Sequence, residues 1–478
     1  MKFGTSGLRG LVVDLEGRTA SLYTTAFVRH LLAAGGIRAG DPVLVGHDFR
    51  ASSPGIAATC IGALKREGLR PLACGAVATP ALALYGLNIG AASLMVTGSH
   101  IPADRNGIKF YRPDGEIGKQ DEMHITAIAA ELNKGEVDCS PGEAPDRSAE
   151  IEALFLERNA IVLPPGALSG LIVGLYQHST VARDLLGKVL KTYGAEVVAL
   201  GRSDRFIPVD TEAVSPETIG LLRSWARENK LDAIVSADGD GDRPLVADET
   251  GAPLRGDLLG LMTARFLDAR VVVTPVTSNS GIEKAGDFRV VRTKVGSPFV
   301  IAAMLSALEG NADAVMGFEA NGGVLIGSEF PVAAGRLGPL PTRDSFLPVL
   351  AALFNAIQEK RPLSEIAAGY RLPFAAAGRH ENVPGEASAA LMAHLRNSDG
   401  NLGGFLKARS PVAAKSEIDG LRMTLADGRI MHFRPSGNAP EMRCYVEAET
   451  QEAANTLLDQ GLGLIREWAG SKNNGLCL

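Results

Sequence analysis

Residues 93–110 read SLMVTGSHIPADRNGIKF. The stretch begins as an apolar run and ends in a small, turn-forming pair followed by Ser99. This pattern predicts a strand that delivers one side chain, at a loop tip, to the carboxyl edge of an α/β sheet, where ligands usually bind. Asn106-Gly107 predicts a tight turn that brings Lys109 back toward this loop. The stretch therefore predicts that a hydroxyl, the imidazole of His100 and an amine are gathered together.

A serine beside a histidine also suggests a hydrolase. The nucleophile elbow of α/β-hydrolases, however, has glycine two residues before and two residues after its serine. Around Ser99 those positions hold Thr97 and Ile101, so the pattern disfavours a hydrolase. A polar loop without chemistry stays open for this stretch taken alone.

The composition sets limits on size, partners and compartment. A chain of 478 residues with 46% hydrophobic content and 55 glycines is typical of an α/β protein of about three or four domains. The net charge of −6 and the lack of a long basic run disfavour nucleic acid and anionic membranes as partners. The sequence shows neither a signal-peptide pattern nor an apolar run that could span a bilayer, and its five cysteines are scattered. We expect reduced thiols, a cytoplasmic location and no zinc site.

The strongest local signal is the acidic run at residues 238–243, DGDGDR, which follows an apolar strand. Asp238, Asp240 and Asp242 lie on alternate residues with glycines between them, so their carboxylates can converge on one hard cation. A calcium-binding EF-hand is the alternative, but its sixth position requires glycine and here is Arg243, and a helix should precede the loop. The run therefore favours Mg²⁺ next to a phosphate, with a solvated turn as the alternative without chemistry.

Three further loops carry groups that suit a phosphorylated sugar. The loop at residues 4–10, GTSGLRG, has glycines that allow close approach to an anion and Arg9 to reach it. Glu319 ends a predicted strand beside Asn321 and is a candidate to accept hydrogen bonds from sugar hydroxyls. Ser297-Pro298 predicts a helix start that presents backbone N–H groups to an anion.

The fourth loop, residues 434–443, reads RPSGNAPEMR and predicts a phosphate cradle. Two arginines supply fork-shaped donors, and a hydroxyl and a glycine turn supply others. The candidate phosphate-binding residues are Arg434, Ser436, Gly437, Asn438 and Arg443. A hairpin with surface arginines is the alternative if this loop is judged alone.

Changes in pattern along the chain predict four segments. A polar stretch at residues 133–148 reads as a boundary, and residues 331–342, rich in glycine and proline, read as a mobile loop. We predict domains at 1–145, with the serine loop; 146–250, with the metal loop; 251–370, with the sugar loop; and 371–478, with the phosphate loop.

Taken together, the loops describe phosphoryl transfer to and from a phosphorylated sugar, in which positioning and charge neutralisation dominate. The chain resembles the α-D-phosphohexomutases along nearly its whole length. The resemblance rests on ordered motifs: residues 4–10, 97–100 (TGSH), 106–110 (NGIKF), 238–243, Glu319 in its loop, and 434–437 (RPSG).

The resemblance implies a four-domain architecture around a central cleft, with three α/β domains and a smaller C-terminal α+β domain. It implies that Ser99 carries a phosphoryl group, and that this phosphoserine and the three aspartates hold Mg²⁺. The phosphoryl group passes to the sugar, which becomes a bisphosphate, reorients and returns its other phosphate, so that hexose 1,6-bisphosphate acts as an activator.

The resemblance also assigns roles around that serine. Arg9, His100 and Lys109 are expected near the reacting hydroxyl, with Lys109 a candidate acid or base. The phosphate loop is expected to hold whichever phosphate is not reacting. Further substrate contacts are expected from Arg243, Lys294 and Gly296.

The chain departs from the family pattern in its sugar loop, which in the family usually reads Gly-Glu-x-Ser-Gly-His. Here residues 318–323 read FEANGG, so Asn321 replaces the serine and Gly323 replaces a histidine that is sometimes given an acid/base role. We expect mannose phosphate as the substrate. Glucosamine, N-acetylglucosamine and glucose phosphates are the alternatives, and a non-catalytic phosphosugar-binding protein is the competing class.

Overall fold

The structure is a computed structural model that describes residues 2–4, 7–407, 410–436 and 440–473. The chain divides into two compact units, and each is described by itself. Unit 1 comprises residues 1–274, 287–291 and 296–370, and unit 2 comprises residues 275–286, 292–295 and 371–478.

Unit 1 begins with a mixed sheet in the order β1-β2-β6-β5-β3-β4, with β7 paired to β6. The neighbouring strands β5, β3 and β4 are parallel, whereas β5, β6 and β2 pair antiparallel. Helices cover the sheet, and rings such as Phe27 and Phe110 are buried against it. The strands are β1 Lys2–Phe3, β2 Leu8–Leu11, β3 Pro42–His47, β4 Arg70–Ala76, β5 Ala92–Val96, β6 Arg105–Arg112 and β7 Gly115–Glu116; the helices are α1 Val12–Leu15, α2 Arg18–Ala33, α3 Ser53–Arg66, α4 Thr79–Ile89 and α5 Lys119–Leu132.

The turn predicted at Asn106-Gly107 is wrong, because both residues lie within strand β6. Gly107 is needed there for close packing: a Cβ would lie 2.5 Å from the carbonyl oxygen of Leu8 on the neighbouring strand. The carboxamide of Asn106 donates to the hydroxyls of Ser52 and Ser53 and accepts from the Gly107 N–H. Tertiary contacts therefore replace the local turn that this dipeptide favours, and Lys109 is delivered by a strand.

A second sheet has the order β11-β10-β8-β9, in which β9, β8 and β10 are parallel and β11 returns antiparallel to β10. The β-α-β pattern predicted for this region is present, and Ser215 caps helix α8 by accepting from the Thr218 N–H. The elements are α6 Ser148–Ala160, β8 Ile172–Tyr176, α7 Arg183–Thr192, β9 Glu196–Leu200, α8 Pro216–Asn229, β10 Ala233–Ala237 and β11 Pro244–Ala247.

A third sheet has the order β13-β12-β14-β15-β18, with parallel strands β12 and β14 at its centre. The predicted loop at residues 331–342 is wrong, since this segment forms the antiparallel hairpin of β16 and β17 and then enters β18. The elements are α9 Gly256–Phe266, β12 Val271–Pro275, β13 Arg289–Thr293, α10 Ser297–Glu309, β14 Val315–Phe318, β15 Val324–Ile326, β16 Phe330–Val332, β17 Gly335–Leu337, β18 Leu340–Asp344, α11 Phe346–Glu359 and α12 Leu363–Gly369.

Unit 2 is built on a five-stranded antiparallel sheet in the order β19-β23-β22-β21-β20. Its core includes Phe433, Met442 and Leu457, contributed by two strands and the last helix. The elements are a short 3₁₀ helix Ser280–Lys284, β19 Phe374–Glu381, α13 Gly385–Asn397, α14 Asp399–Phe405, β20 Val412–Ser416, β21 Leu421–Leu425, β22 Ile430–Pro435, β23 Glu441–Ala448 and α15 Gln451–Asn473. Among the described residues, no helix has the length and apolar character that crossing a bilayer requires.

Candidate active site

Ser99 follows strand β5, every residue of which is buried. The sequence placed this serine at a loop tip, but it is only 1% exposed. Its φ of 53° lies in the left-handed region, which non-glycine residues rarely adopt. The Thr97 hydroxyl accepts from the Ser99 N–H at 2.7 Å, and Ser99 Oγ donates to Asp238 Oδ2 at 2.5 Å. The serine hydroxyl is thus held against the first aspartate of the acidic loop.

Arg50 supports the serine loop, and the sequence reasoning did not single it out. Its guanidinium is 2% exposed, stacks under the ring of Phe206 at 3.9 Å and lies 3.3 Å from Asp48 Oδ2. A Cβ on Gly98 would approach Arg50 Cζ to 2.6 Å, so the glycine lets this group in. The guanidinium donates to the carbonyl oxygens of Ser99, Ile101, Pro102 and Arg105. The sequence signal that could have identified Arg50 is Asp48-Phe49-Arg50, directly after strand β3.

The acidic loop follows strand β10 and is fixed by its own backbone and by close packing. Asp238 Oδ1 accepts from the N–H groups of Asp242 and Arg243, both at 3.1 Å. Gly241 has a φ of 73°, and a Cβ on Gly239 would lie 2.7 Å from the Ser99 carbonyl oxygen. The alternation of aspartate and glycine therefore has a steric reason, since the metal loop and the serine loop touch through their backbones.

The other two carboxylates are each anchored through one oxygen. Asp240 Oδ2 accepts from Thr79 Oγ1 at 2.6 Å and from Lys109 Nζ at 2.5 Å. Lys109 Nζ also donates to Asp242 Oδ2 at 2.5 Å. Lys109 is therefore where the sequence expected it, close to the serine loop, but its ammonium is held between two carboxylates.

The donor set fits a divalent cation. Asp238, Asp240 and Asp242 are completely buried, and one carboxylate oxygen from each lies within 4.8 Å of the others. Within the described part of the chain, Asp240 Oδ1 and Asp242 Oδ1 are buried and accept no hydrogen bond. Orphaned buried carboxylate oxygens are costly unless a cation or water takes them, and hard oxygen ligands are those that Mg²⁺ prefers.

The three carboxylates differ in their electrostatics. Burial, together with the charges of the other two aspartates, raises the pKa of Asp238. Burial opposes ionisation of Asp242 as well, but the cations Arg343 and Lys109 outweigh it and lower its pKa. Asp242 is thereby kept ionised, whereas Asp238 is the carboxylate beside the serine hydroxyl.

His100 and Arg9 border the same loops. Arg243 Nη1 donates to His100 Nδ1 at 2.9 Å, and Ser99 Oγ lies 3.2 Å from the same nitrogen. Burial and the charge of Arg243 lower the pKa of His100 far below its usual range, so the imidazole is neutral. Burial and the charges of Arg243 and Arg343 lower the pKa of Arg9 to about 10. Both residues therefore stand in a positively charged, buried setting.

Glu319 ends strand β14 as predicted and is buried, and Arg343 Nη1 donates to its Oε2 at 2.7 Å. The same guanidinium contacts Asp242 Oδ2 through Nε at 2.9 Å and Nη2 at 2.8 Å. The sequence reasoning missed Arg343, which comes from strand β18 and is 1% exposed. Asn321 Oδ1 accepts from the Gly323 N–H at 3.0 Å, so this side-chain oxygen shapes the loop.

Arg343 also explains why residue 323 is glycine, where the family pattern has histidine. A Cβ on Gly323 would lie 2.7 Å from both Cγ and Cδ of Arg343. Real Cβ atoms do not approach other atoms so closely, so the backbone at Gly323 and the stem of Arg343 occupy complementary space. The substitution of histidine by glycine is thus paired with a buried arginine.

In unit 2, the described part of the phosphate loop is less enclosed. Arg434 Nε donates to Asp419 Oδ2 at 2.8 Å, and Arg443, its cross-strand partner, pairs with Glu441. The Ser436 N–H donates to the Glu441 carbonyl oxygen at 3.0 Å. Gly437 and Asn438 lie outside the described residues.

Of the two further substrate contacts predicted from the sequence, Lys294 belongs to unit 2 and Gly296 to unit 1. Lys294 is exposed in unit 2, next to Val295, whose N–H donates to Asp419 Oδ2 at 3.0 Å. Gly296 belongs to unit 1, is buried and has a φ of 130° just before helix α10. Ser297 does not cap that helix, and its hydroxyl donates to Glu116 at 2.7 Å.

Four family models match the chain in order. They are the phosphoglucomutase/phosphomannomutase α/β/α domains I, II and III, at residues 1–136, 159–251 and 255–372, and the C-terminal domain, at residues 392–462. The chain belongs to the phosphoglucomutase/phosphomannomutase family. This confirms the resemblance to the α-D-phosphohexomutases and the predicted class of three α/β domains with a C-terminal domain of a different kind.

Individual members of the family match over almost the full length. A phosphomannomutase of Sinorhizobium fredii (strain NBRC 101917 / NGR234) is 56% identical over 468 residues, which cover 97% of this chain and 98% of that protein. A phosphomannomutase of Salmonella muenchen is 39% identical over 472 residues, or 98% of this chain and 96% of that protein. The crystal structure of a phosphoglucomutase/phosphomannomutase family protein from Burkholderia thailandensis superposes with a TM-score of 0.74 at 19% identity, over 98% of each chain.

The activity class follows from these matches. The chain is a mutase, an intramolecular phosphotransferase of the isomerase class, and its relatives act on small phosphosugars. The buried aspartate group could hold a metal ion in this enzyme.

Proposed function

We propose that this mutase interconverts mannose 6-phosphate and mannose 1-phosphate, and that the phosphoryl group passes through Ser99 and a bisphosphorylated sugar. The observation that carries the assignment of Ser99 is its buried hydroxyl, which lies 2.5 Å from Asp238 Oδ2 and 3.2 Å from His100 Nδ1. Two phosphomannomutases at 56% and 39% identity support mannose as the sugar.

In the transfer step, a sugar hydroxyl oxygen attacks the phosphorus of the Ser99 phosphoryl group. A new P–O bond forms to the sugar, the bond to Ser99 Oγ breaks, and the proton of the hydroxyl leaves to a base. The bisphosphate then reorients and Ser99 Oγ attacks its other phosphorus. The bond from that phosphorus to the sugar oxygen breaks, the freed oxygen takes up the proton held by the base, and the product carries the remaining phosphate. Because transfer in either direction uses the same site, one set of positioned charges serves both halves.

The roles of the surrounding residues follow from their charge and position. Asp238, Asp240 and Asp242 would hold Mg²⁺, which when bound would offset the charge on the transferring group. Arg9 and Arg243 add fixed positive charge on the same side. Lys109, whose Nζ lies between two carboxylates, is our candidate for moving the proton, and neutral His100 accepts a hydrogen bond that fixes Arg243.

The substrate's other end is assigned to the remaining loops. Glu319 accepts hydrogen bonds from sugar hydroxyls, and Lys294 and Gly296 supply further contacts. Arg434, Ser436, Gly437, Asn438 and Arg443 hold the phosphate that is not reacting. We expect Arg434→Ala to raise KM about tenfold or more for every accepted phosphosugar, because a charge-assisted hydrogen bond contributes roughly 1.5–3 kcal/mol.

A second candidate substrate is an amino sugar phosphate, because Asn321 stands where the family usually has serine. Its carboxamide oxygen accepts from the Gly323 N–H, so any contact with a sugar would come from the amide nitrogen. If this loop sets sugar choice, Asn321→Ser changes the ratio of kcat/KM between N-acetylglucosamine 1-phosphate and mannose 1-phosphate. An unchanged ratio would mean that this loop does not determine which sugar phosphate the enzyme prefers.

One coupled assay tests the proposed function. The purified enzyme is given mannose, glucose, glucosamine and N-acetylglucosamine 1-phosphates in turn, with Mg²⁺ and the matching hexose 1,6-bisphosphate as activator. We expect the highest kcat/KM with mannose 1-phosphate. A higher value with either amino sugar would move the assignment to that substrate.

A further inference from the structure

Arg343 contacts both the metal loop and the sugar loop, to which different roles in the reaction are assigned. Its Nε and Nη2 both contact Asp242 Oδ2, at 2.9 and 2.8 Å, and its Nη1 donates to Glu319 Oε2 at 2.7 Å. Asp242 belongs to the metal loop and Glu319 to the sugar loop. Resting on the function proposed above, we propose that Arg343 is a positioning residue that couples metal binding to sugar recognition.

The first step of the argument concerns which oxygen Asp242 offers to a cation. Arg343 and Lys109 both bind Oδ2, and Oδ1 is buried and accepts no hydrogen bond from the described residues. A carboxylate whose one oxygen is held by a rigid fork has little freedom to rotate. Arg343 therefore directs Oδ1 toward the position where the oxygens of Asp238 and Asp240 converge.

The second step concerns charge. Arg343 and its two carboxylate partners are nearly inaccessible to solvent, and in such a setting a change in one partner is felt strongly by the others. If Glu319 lost its charge, the guanidinium would depend more on Asp242 and on Glu116, the other carboxylate that raises its pKa, and would compete more strongly with a cation for Asp242. The state of the sugar loop is thereby transmitted to the metal loop through one side chain.

The third step concerns how the arginine is held. The Arg343 stem lies across Gly323, where a Cβ would approach Cγ and Cδ to 2.7 Å. Residue 323 belongs to the sugar loop, and its carbonyl oxygen accepts from the Glu319 N–H at 3.1 Å. The sugar loop therefore contacts Arg343 at two places, with Gly323 against the aliphatic part of the side chain and Glu319 against the guanidinium.

The first test measures Mg²⁺ binding by calorimetry on the full chain without sugar, so that its readout does not depend on turnover. We expect Arg343→Met to weaken Mg²⁺ binding at least threefold and Arg343→Lys to weaken it less, because lysine keeps the positive charge but lacks the planar fork with which Arg343 binds Asp242 and Glu319. The matched control is Arg336→Met, an exposed arginine of strand β17 paired with Glu329, which leaves binding unchanged. A role in charge neutralisation alone predicts tighter binding in Arg343→Met, and this result, or no change, overturns the proposal.

Gly323→Ala provides a variant that keeps every charge but pushes on the arginine stem. We expect it to weaken Mg²⁺ binding and to raise KM for the phosphosugar together. Gly338→Ala is its control, because a Cβ there meets nothing within 4 Å. A change in KM with unaltered Mg²⁺ affinity would contradict the coupling, since it would place the effect of residue 323 on the sugar alone.

The coupling itself is tested by a double-mutant cycle on Mg²⁺ affinity. Glu319→Gln should weaken Mg²⁺ binding at least threefold more in the wild-type background than in the Arg343→Met background. Equal fold-changes in the two backgrounds would mean that Arg343 carries no coupling. The cycle can show no coupling while mannose 1-phosphate remains the best substrate, and it can show coupling although another sugar is preferred. The two proposals are therefore judged separately.

Discussion

The serine and metal loops of unit 1 and the phosphate loop of unit 2 hold their charged groups in different ways. Ser99 and the three aspartates are buried, and their carbonyls, amides and carboxylates are bound by side chains from several elements. Among the described residues, Arg434 pairs with Asp419, which is one fifth exposed, and Arg443 is about one third exposed.

The difference matches two kinds of chemistry. A group that exchanges a phosphoryl must hold its geometry throughout the reaction, and a buried polar network provides this because its members have no alternative partners. A side chain that binds the incoming phosphate must first break the ion pair that it makes in the free enzyme. A partly exposed ion pair is weak enough for this exchange. The comparison predicts large effects for changes to the buried network of the first region and small ones for changes to the residues that pair with the arginines of the second.

The largest effect is expected for Ser99→Ala. We expect turnover to fall to the assay background, because the variant lacks the hydroxyl that is proposed to carry the phosphoryl group, while the loop stays in place through Arg50. Intact mass should show one added phosphate on at least part of the wild-type protein and none on the variant. Ser224→Ala, in an exposed position of helix α8, is the control, and full activity of Ser99→Ala would end the assignment of this serine.

Arg50→Met should have the next largest effect, on stability. It removes the donor to four carbonyl oxygens and leaves the buried Asp48 without its cation. Breaking a buried pair from one side costs about 3–5 kcal/mol, so we expect the free energy of unfolding in urea to fall by about that amount. Arg18→Met is the matched control, because the exposed Arg18 guanidinium also donates to oxygens at residues 133 and 135. Equal losses in the two variants would contradict a special role for Arg50.

Asp240→Asn should act on the metal. One of three anionic ligands is lost, so we expect the Mg²⁺ concentration for half-maximal activity to rise about tenfold or more, with EDTA abolishing activity in the wild type. Calorimetric titration with Mg²⁺ gives the same comparison without turnover. Asp313→Asn, a surface aspartate paired with Arg270, is the control. Activity that survives thorough chelation would make the aspartate group structural.

The smallest effect is expected for Asp419→Asn in unit 2. This change loosens Arg434 from a partly exposed pair, which is worth about 0–1 kcal/mol. We expect the free energy of unfolding to fall by less than ~1 kcal/mol and KM for mannose 1-phosphate to change only a few-fold. A loss of stability as large as that of Arg50→Met would remove the contrast between the two regions.

Sequence reasoning reached the strands and the loops that follow them because those features are local. The buried strands β5, β10 and β14 are apolar runs, and Ser99, Asp238 and Glu319 lie in the loops that directly follow them. It failed at Asn106-Gly107 and at residues 331–342. Asn106 is drawn into a strand by partners distant in sequence, Ser52 and Ser53. Residues 330–337 instead pair with each other as a short hairpin whose turn takes only residues 333 and 334.

By itself, the sequence determined the sheet-forming runs, the loops that end them and the chemistry these loops carry, since these depend on residues that are close along the chain. Only the tertiary structure decided which oxygen of Asp240 and of Asp242 is held and which is left for a cation. Those choices are made by Lys109, 131 residues from Asp240, and by Arg343, 101 residues from Asp242. A spacing pattern describes neighbours within a few residues, whereas a buried charge takes its partner from whichever strand the fold brings beside it.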